Sequence, residues 1–376
     1  MKSADFPMKN STTFIKNTNS MFYLFVILLI WRLNEFLPSR KLNKLFLNIN
    51  LQWMVKRNDI SEMEIGVVGL GLMGSSIVAA LLIAGHPVRG IAPINGDMEN
   101  AWARITNQLD HAGQSGLLNR PLSDYLGRLI LSEDFGILKN CQLVQECVIE
   151  TKSIKSEVYR KITAVTNENT VISSNTSAIP ISILQEVVPF PERFLGIHWA
   201  EPAYLTRFLE ITKGDRTADS PAQWAFELAH FWNKEPTFLK KDIRGFVANR
   251  LMYAVYREAF HLIEKGEASI EDVDKSFRYD AGSWMTYMGL MQRMDLLGLR
   301  DFGVTLNRLF PELSNSTLVP QLMKKLVMEQ ARGTQHARGL YSYTLDEAAA
   351  WDQAFAEFNK EIFHLAAEYP SKSKEK

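Results

Sequence analysis

Four stretches of this chain carry the residue types from which an enzyme builds proton chemistry. Ser174-Asn175-Thr176-Ser177 follows the strand-like run Thr170–Ser173, and His198 follows Phe194-Leu-Gly-Ile. Glu210 follows Phe208-Leu209, and Asn249 follows Gly245-Phe-Val-Ala and opens a long helical pattern. A histidine beside a carboxylate makes a general base near neutral pH, because the carboxylate fixes the ring tautomer and stabilises the imidazolium that forms. A hydroxyl and an amide can hold the reacting oxygen. Taken singly, each residue also has a plainer reading: His198 as a satisfied core histidine, Asn249 as a helix N-cap. Spacing alone does not gather the four into one site.

A second pattern lies upstream. The apolar run Ile65–Val68 ends in Gly69-x-Gly71-x-x-Gly74, and the Ala-rich segment Ser75–Ala84 follows and ends at Gly85. That order is strand, tight glycine turn, helix. Gly69 allows the bend, Gly71 lets the backbone approach a diphosphate, and Gly74 lets the helix pack close to the strand. The free N–H groups at the helix start, with the helix dipole, then favour an anion. The glycine motif in this context predicts dinucleotide binding.

These residues need elements to position them. Ile65–Val68 reads as a strand, Ser75–Ala84 as a helix and Pro87–Ile91 as the second strand. Asp97–Leu109 and Lys155–Thr166 read as helices, and Leu143–Glu150, Thr170–Ser173 and Phe194–His198 as further strands. The alternation predicts a doubly wound α/β sheet, mostly parallel, whose ligands bind at the carboxyl ends of the strands. After about Gly245 the pattern turns helical. Asn249–Lys265 places Leu251, Ala254, Val255, Ala259, Leu262 and Ile263 on one face. Ser269 with Asp272 resembles a capping box, and turns are expected at Gly282, Gly298 and Gly333. The expected division is an extension over 1–62, a dinucleotide-binding domain over 63–244 and an all-helical domain over 245–376.

The 376 residues carry 42 basic and 42 acidic side chains. A net charge of zero, with no run of like charge beyond the Lys372–Lys376 tip, gives no reason to expect a nucleic-acid partner. Cys141 and Cys147 are the only cysteines and have neither metal-ligand nor CxxC spacing, so buried free thiols in the cytoplasm are expected, with no metal. The first 62 residues differ. Met21–Trp31 is an unbroken apolar run preceded by Lys2, Lys9 and Lys16. It is shorter than the roughly 20 residues that span a bilayer. It resembles the apolar part of a signal peptide, but Arg32-Leu-Asn-Glu-Phe-Leu-Pro stands where a small-residue cleavage site would be expected. The expectation is a segment upstream of the true start, with Met54 and Met63 as candidate starts; a membrane anchor is the alternative.

From Glu64 to about Tyr343 the chain resembles the 3-hydroxyacyl-CoA dehydrogenase family. The matching segments come in order: Gly69-Leu-Gly-Leu-Met-Gly74, Glu146-Cys-Val-Ile-Glu150 with Lys155 downstream, Ser174-Asn-Thr-Ser-Ala178, Gly196-Ile-His-Trp199, Phe208-Leu-Glu-Ile211, Gly245-Phe-Val-Ala-Asn-Arg-Leu251 and Gly339-Leu-Tyr-Ser-Tyr343. The resemblance implies a Rossmann domain followed by a helical domain like that of 6-phosphogluconate dehydrogenase, and a homodimer. It implies hydride transfer between a 3-hydroxyacyl-CoA and NAD. His198 would be the base, Glu210 its partner, and Ser177 and Asn249 the residues that hydrogen-bond the substrate oxygen. Gly69, Gly71, Leu72, Met73 and Gly74 would meet the cofactor diphosphate. Glu150 and Lys155 would lie near its ribose and nicotinamide side, and Asn175 would help place the nicotinamide. No stable membrane partner is implied.

Three departures bear on these roles. The acid that usually ends the second strand and holds the adenosine ribose is replaced by Ala92; Asp97 is a loop substitute. That removes one reason to reject NADP, although no basic residue follows Ala92 directly and NAD remains expected. The family's His-Phe-Phe-Asn-Pro is here His198-Trp-Ala-Glu-Pro202. A carboxylate at Glu201 would change substrate polarity preference or the His198 pKa, unless it turns outward and caps the next segment. The stretch Ala281–Leu290 is about two residues longer than usual. In length it resembles the gulonate dehydrogenase, λ-crystallin and carnitine dehydrogenase branch, which acts on small hydroxy acids without coenzyme A or, in λ-crystallin, is a structural relative. A C-terminal helix over Asp346–Ala367 carries Trp351, Phe355, Phe358, Ile362 and Phe363 at helical spacing, which reads as packing.

Overall fold

A computed structural model describes residues 60–94, 96–334 and 337–368. The apolar run Met21–Trp31, the candidate start at Met54 and the Lys372–Lys376 tip lie outside the described residues. The sheet has eight strands: β1 (Ile65–Val68), β2 (Val88–Ile91), β3 (Leu129–Ser132), β4 (Leu143–Glu146), β5 (Val171–Ser174), β6 (Phe194–Trp199), β7 (Phe208–Lys213) and β8 (Glu235–Leu239). Their order is β3-β2-β1-β4-β5-β6-β7-β8, reversing direction of growth beside β1 as a doubly wound sheet does. Strands β1 to β6 run parallel, β7 runs antiparallel to β6, and β8 is parallel to β7.

Between the strands run α1 (Leu72–Ala84), α2 (Met98–Gln114), α3 (Leu122–Leu126), α4 (Lys152–Val165), α5 (Ile181–Leu184) and α6 (Asp219–Phe231). Two apolar layers follow from the period of two in a strand. Ile65, Val67, Leu195, Ile197, Leu209 and Ile211 pack on one face with α1. Val68, Val144, Ile172 and Phe194 pack on the other with Val158 and Ile162 of α4. Because both faces are covered, the central strands read as unbroken apolar runs.

Strands β3, β7 and β8 and helices α3, α5 and α6 were not expected from the sequence. Of the strands, β3 and β8 lie at sheet edges, where pairing on one side relaxes the need for apolar alternation, and Pro236 in β8 is tolerated there for the same reason. The expected strand Leu143–Glu150 stops at Glu146, whose buried carboxylate gathers partners from the turn that follows.

Beyond the sheet lie α7 (Ala248–Glu264), α8 (Ile270–Ser276), α9 (Gly282–Met285), α10 (Leu290–Leu297), α11 (Leu299–Leu309), α12 (Gln321–Met328) and α13 (Leu345–Glu368). Ser269 caps α8, accepting the Asp272 N–H at 3.0 Å. Gly298 and Gly333 take positive φ as turn glycines. Gly282 does not: it opens α9 directly after a π-helical turn at Phe277–Ala281. Among the described residues, none in helices α7 to α12 is buried. Trp351, Phe355 and Phe358 of α13 are all more than half exposed, so the other described residues leave this part of the stripe expected to pack uncovered. Among the described residues no helix is long and apolar enough to cross a membrane, and no group of His, Cys, Asp and Glu is arranged to hold a metal.

His86, just before β2, shows how tightly the sheet edge of α1 is closed. It is fully buried, with Trp232 Nε1 donating to its Nε2 at 3.0 Å and its Nδ1 3.2 Å from Met63 O. Burial lowers its pKa to about 4. The unfolded chain therefore binds a proton over about pH 6.5 to 4 that the fold refuses, and stability is complete above pH 6.5 and falls as pH drops toward 4. Denaturant titrations of the wild type and His86→Phe at pH 7 and pH 4 should show the wild type losing up to about 3 kcal/mol more than the variant; equal losses would refute the assignment.

Candidate active site

The antiparallel pairing of β6 with β7 places His198 directly opposite Glu210. Opposed residues in an antiparallel pair point to the same face. That is the face away from Leu195, Ile197, Leu209 and Ile211. His198 Nδ1 lies 2.9 Å from Glu210 Oε2. The carboxylate accepts, so Nδ1 carries the hydrogen and Nε2 is left as the basic nitrogen. The imidazole is packed by Phe208 and Phe246, with ring centroids 5.6 and 5.5 Å away. Both residues lie inside strands, His198 in β6 and Glu210 in β7.

Glu210 has a second task. Its Oε1 accepts the N–H groups of Val247 and Ala248 at 3.0 and 2.9 Å, the start of α7. Burial raises the Glu210 pKa, but the bonds from His198, Ala248 and Val247 outweigh it and hold the carboxyl below its ordinary value. The next residue is Asn249, at the second position of α7 and not its N-cap, which is Val247. Asn249 Nδ2 donates to Ser177 O at 3.3 Å. Ser177 and Asn249 share a cleft. One carboxylate thus ties the imidazole to the helix that carries the amide.

The loop bearing Ser177 is shaped by Glu150. Its Oε1 accepts the N–H groups of Ser177, Ala178 and Ile179 at 3.2 to 3.4 Å, and Thr176 Oγ1 donates to the same oxygen. Asn175 Oδ1 accepts the Trp199 N–H at 2.8 Å and so joins this loop to the residue after His198. Lys155 is buried. Its ammonium binds both Glu146 oxygens at 2.8 and 3.0 Å, Val148 O at 3.2 Å and Glu150 at 3.3 Å. Glu146 is completed by Tyr159 and Ser174, each donating at 2.7 Å. The two residues therefore stand in different positions: Glu150 at the loop surface, Lys155 behind it. No apolar periodicity signals the Glu146 cluster; the register that sets Glu146 beside Ser174 does.

The glycine turn fits a diphosphate. Gly69 has φ +94, and a Cβ on Gly74 would lie 1.8 Å from Gly69 O, so neither admits a side chain. A Cβ on Gly71 would meet nothing within 4 Å, which leaves open space over the start of α1. That helix has no side-chain cap, and its first N–H groups remain for an anion. Leu72 is exposed and Met73 half-buried there. Ala92 is fully buried at the end of β2. Asp97 is paired with Arg104 at 2.8 Å, and Arg104 Nε donates to Leu70 O at 2.9 Å, which anchors the pair on the glycine turn.

Glu201 turns inward, against the expectation of a cap on the next segment. Burial raises its pKa against hydrogen bonds from Ser76 of α1 and Gln108 of α2. Ser76 Oγ also accepts the Ala203 N–H at 2.7 Å. Lys234, whose pKa burial lowers to about 7, donates to the carbonyls of Ala203 and Thr206. These contacts pin the loop that follows Trp199.

Replacing Glu210 by Gln leaves an acceptor for α7 but removes the charge opposite His198. Turnover is expected to fall roughly 100-fold or more, while the thermal transition shifts by only a few degrees. An unchanged kcat with an intact fold would refute the pairing as a functional one.

The chain matches two family models in succession: the 3-hydroxyacyl-CoA dehydrogenase NAD-binding domain over residues 64–243 and the 3-hydroxyacyl-CoA dehydrogenase C-terminal domain over 245–343. It is 31% identical over 291 residues to a Mesorhizobium japonicum 5-formyl-3-hydroxy-2-methylpyridine 4-carboxylate 5-dehydrogenase, covering 76% of this chain and 93% of the relative. A solved structure of a dehydrogenase of that name, described as NAD-dependent, superposes with a TM-score of 0.76 at 28% identity, covering 82% of this chain and all of the other. An L-carnitine dehydrogenase from Staphylococcus epidermidis is 30% identical over 322 residues, covering 83% and 97%. A 3-hydroxybutyryl-CoA dehydrogenase from Mycobacterium tuberculosis is 30% identical over 283 residues, covering 74% and 98%. The cofactor is NAD, bound by a Rossmann domain that a helical domain follows. With this sheet, this helical region and both family models matched in order, the chain belongs to the 3-hydroxyacyl-CoA dehydrogenase family.

Proposed function

We propose that this protein is an NAD-dependent dehydrogenase of a 3-hydroxyacyl group, converting the secondary alcohol to the 3-oxo group. The observation that carries the reading is the His198–Glu210 contact at 2.9 Å, on a face where Nε2 is the free basic atom. His198 Nε2 takes the hydroxyl proton, and Glu210 holds the ring and balances the imidazolium. Ser177 and Asn249 hydrogen-bond the substrate oxygen, fixed by Glu150 on one side and by the α7 start on the other. Gly69, Gly71, Leu72, Met73 and Gly74 hold the diphosphate end of NAD. Asn175 and Glu150, backed by Lys155, lie toward the nicotinamide. Bound NAD supplies the acceptor for the hydride of the carbinol carbon.

Two substrate forms suit this chemistry. The family and the mycobacterial relative support a 3-hydroxyacyl-CoA thioester. The carnitine and pyridine-carboxylate dehydrogenases support a small hydroxy acid free of coenzyme A. Residues 63–244 serve as the cofactor domain and 245–376 as the helical substrate and dimerisation domain. The uncovered apolar side chains of that region, among them Leu251, Tyr256, Leu297 and Phe310, support a homodimer. The free thiols Cys141 and Cys147 suit the cytoplasm; burial raises both pKa values, that of Cys141 to about 12.

NAD reduction at 340 nm with 3-hydroxybutyryl-CoA, carnitine and gulonate tests the reading, with His198→Ala as control. Loss of turnover by about 1,000-fold or more in the variant is expected; retention would remove His198 as the base. Sedimentation should give twice the chain mass, and a monomer at micromolar concentration would refute the dimer.

A further inference from the structure

Three arginines line the cleft that Ser177 and Asn249 open into. The cleft measures about 630 Å³, and its charged lining is Arg244, Arg250 and Arg257 with no acidic residue. Arg244 stands in the turn before α7 and donates to Ala178 O at 3.2 Å, beside Ser177. Arg250 and Arg257 lie on one side of α7 with Tyr253 between them, about 10 Å apart along the axis. None of the three has an acidic partner among the described residues. Three arginines of the sheet domain do have such partners: Arg89 with Glu64, Arg104 with Asp97 and Arg207 with Glu235. Like charges gathered in a concave wall raise the local potential and draw an anion. A guanidinium presents a planar fork that fits a carboxylate with two parallel hydrogen bonds.

We propose that this cleft reads a carboxylate carried by the acyl unit itself, so that the enzyme's substrate is a free 3-hydroxy acid and not a coenzyme A thioester. The proposal rests on the dehydrogenase reading above and narrows its substrate class. Both substrate forms contain anionic groups, but at different distances from the reacting carbon. In a thioester the phosphates lie beyond the long neutral pantetheine arm, and the carbons next to the reacting oxygen are uncharged. Here the arginines share one small cleft with the residues that hold that oxygen. A cleft of about 630 Å³ is large enough for a small hydroxy acid. Arg244 and Arg250 flank the oxygen-binding pair, and Arg257 extends the same wall toward a more distant or second anionic group.

The test compares 3-hydroxybutyrate, its neutral methyl ester and 3-hydroxybutyryl-CoA as substrates of the NAD-loaded protein, in the wild type and in Arg244→Gln/Arg257→Gln. Calorimetric titration of malonate into the NAD-loaded protein gives a second readout that needs no turnover. The wild type should prefer the acid to the methyl ester, and the double variant should lower that ratio roughly tenfold or more, chiefly through KM. Malonate binding should weaken in parallel. A wild type that uses the methyl ester as well as the acid overturns the proposal. So does one that prefers the thioester and loses that preference in the variant, since the arginines would then hold the coenzyme phosphates. If malonate binds through the arginines while neither acid nor ester is oxidised, the anion site stands and the dehydrogenase reading falls. If His198→Ala abolishes turnover but the acid-to-ester ratio is unmoved by the double variant, the dehydrogenase reading stands and this proposal falls.

Discussion

The pairing of β6 with β7 is the constraint on which the rest of the site depends. Every other neighbouring pair in the sheet is parallel; this one is antiparallel, and it sets His198 against Glu210 on the same face. A slip of one residue would turn the whole side-chain set of one strand to the other face. The apolar residues between them guard against that slip. Leu195, Ile197, Leu209 and Ile211 are fully buried on the opposite face, so the core that stabilises the strands also fixes the polar pair.

Carboxylates then carry the order outward. Glu210 accepts from the ring and from two N–H groups at the start of α7. Glu150 accepts from three successive N–H groups of the Ser177 loop. Glu146, fully buried, holds Lys155, Tyr159 and Ser174 behind that loop. A buried ion pair such as Lys155–Glu146 adds little net stability, but losing one partner strands the other charge, so it fixes geometry more than it adds energy. The imidazole thus sits on a strand and the amide on a helix, while the hydroxyl sits on a loop that Glu150 pins, which supplies the fixed orientation that catalysis requires.

Much of this was legible in the residues. The glycine turn, the central strands and the switch to helices after Gly245 follow from local patterns, because a tight turn needs glycines and a strand covered on both faces needs apolar runs. Strands β3 and β8 did not show because edge strands escape that demand. Glu210 was visible as a polar residue in an apolar run, but its bonds to Val247 and Ala248 span 37 and 38 positions and leave no local trace. For Glu201 the sequence leaves open an effect on substrate polarity or on the His198 pKa and, alternatively, an outward cap; the fold turns it inward, to Ser76 and Gln108, which removes the cap alone. The arginine wall is half local, since Arg250 and Arg257 are seven apart on one helix, and half tertiary, since Arg244 joins them only through the turn.

Glu210 holds His198 in the tautomer with hydrogen on Nδ1, leaving Nε2 as the base. Nitrogen-15 NMR of histidine-labelled protein measures this directly at a pH where the ring is neutral. A protonated Nδ1 and a bare Nε2 are expected for His198, a distinction that fades in Glu210→Gln. A His198 with its hydrogen on Nε2 in the wild type would contradict it.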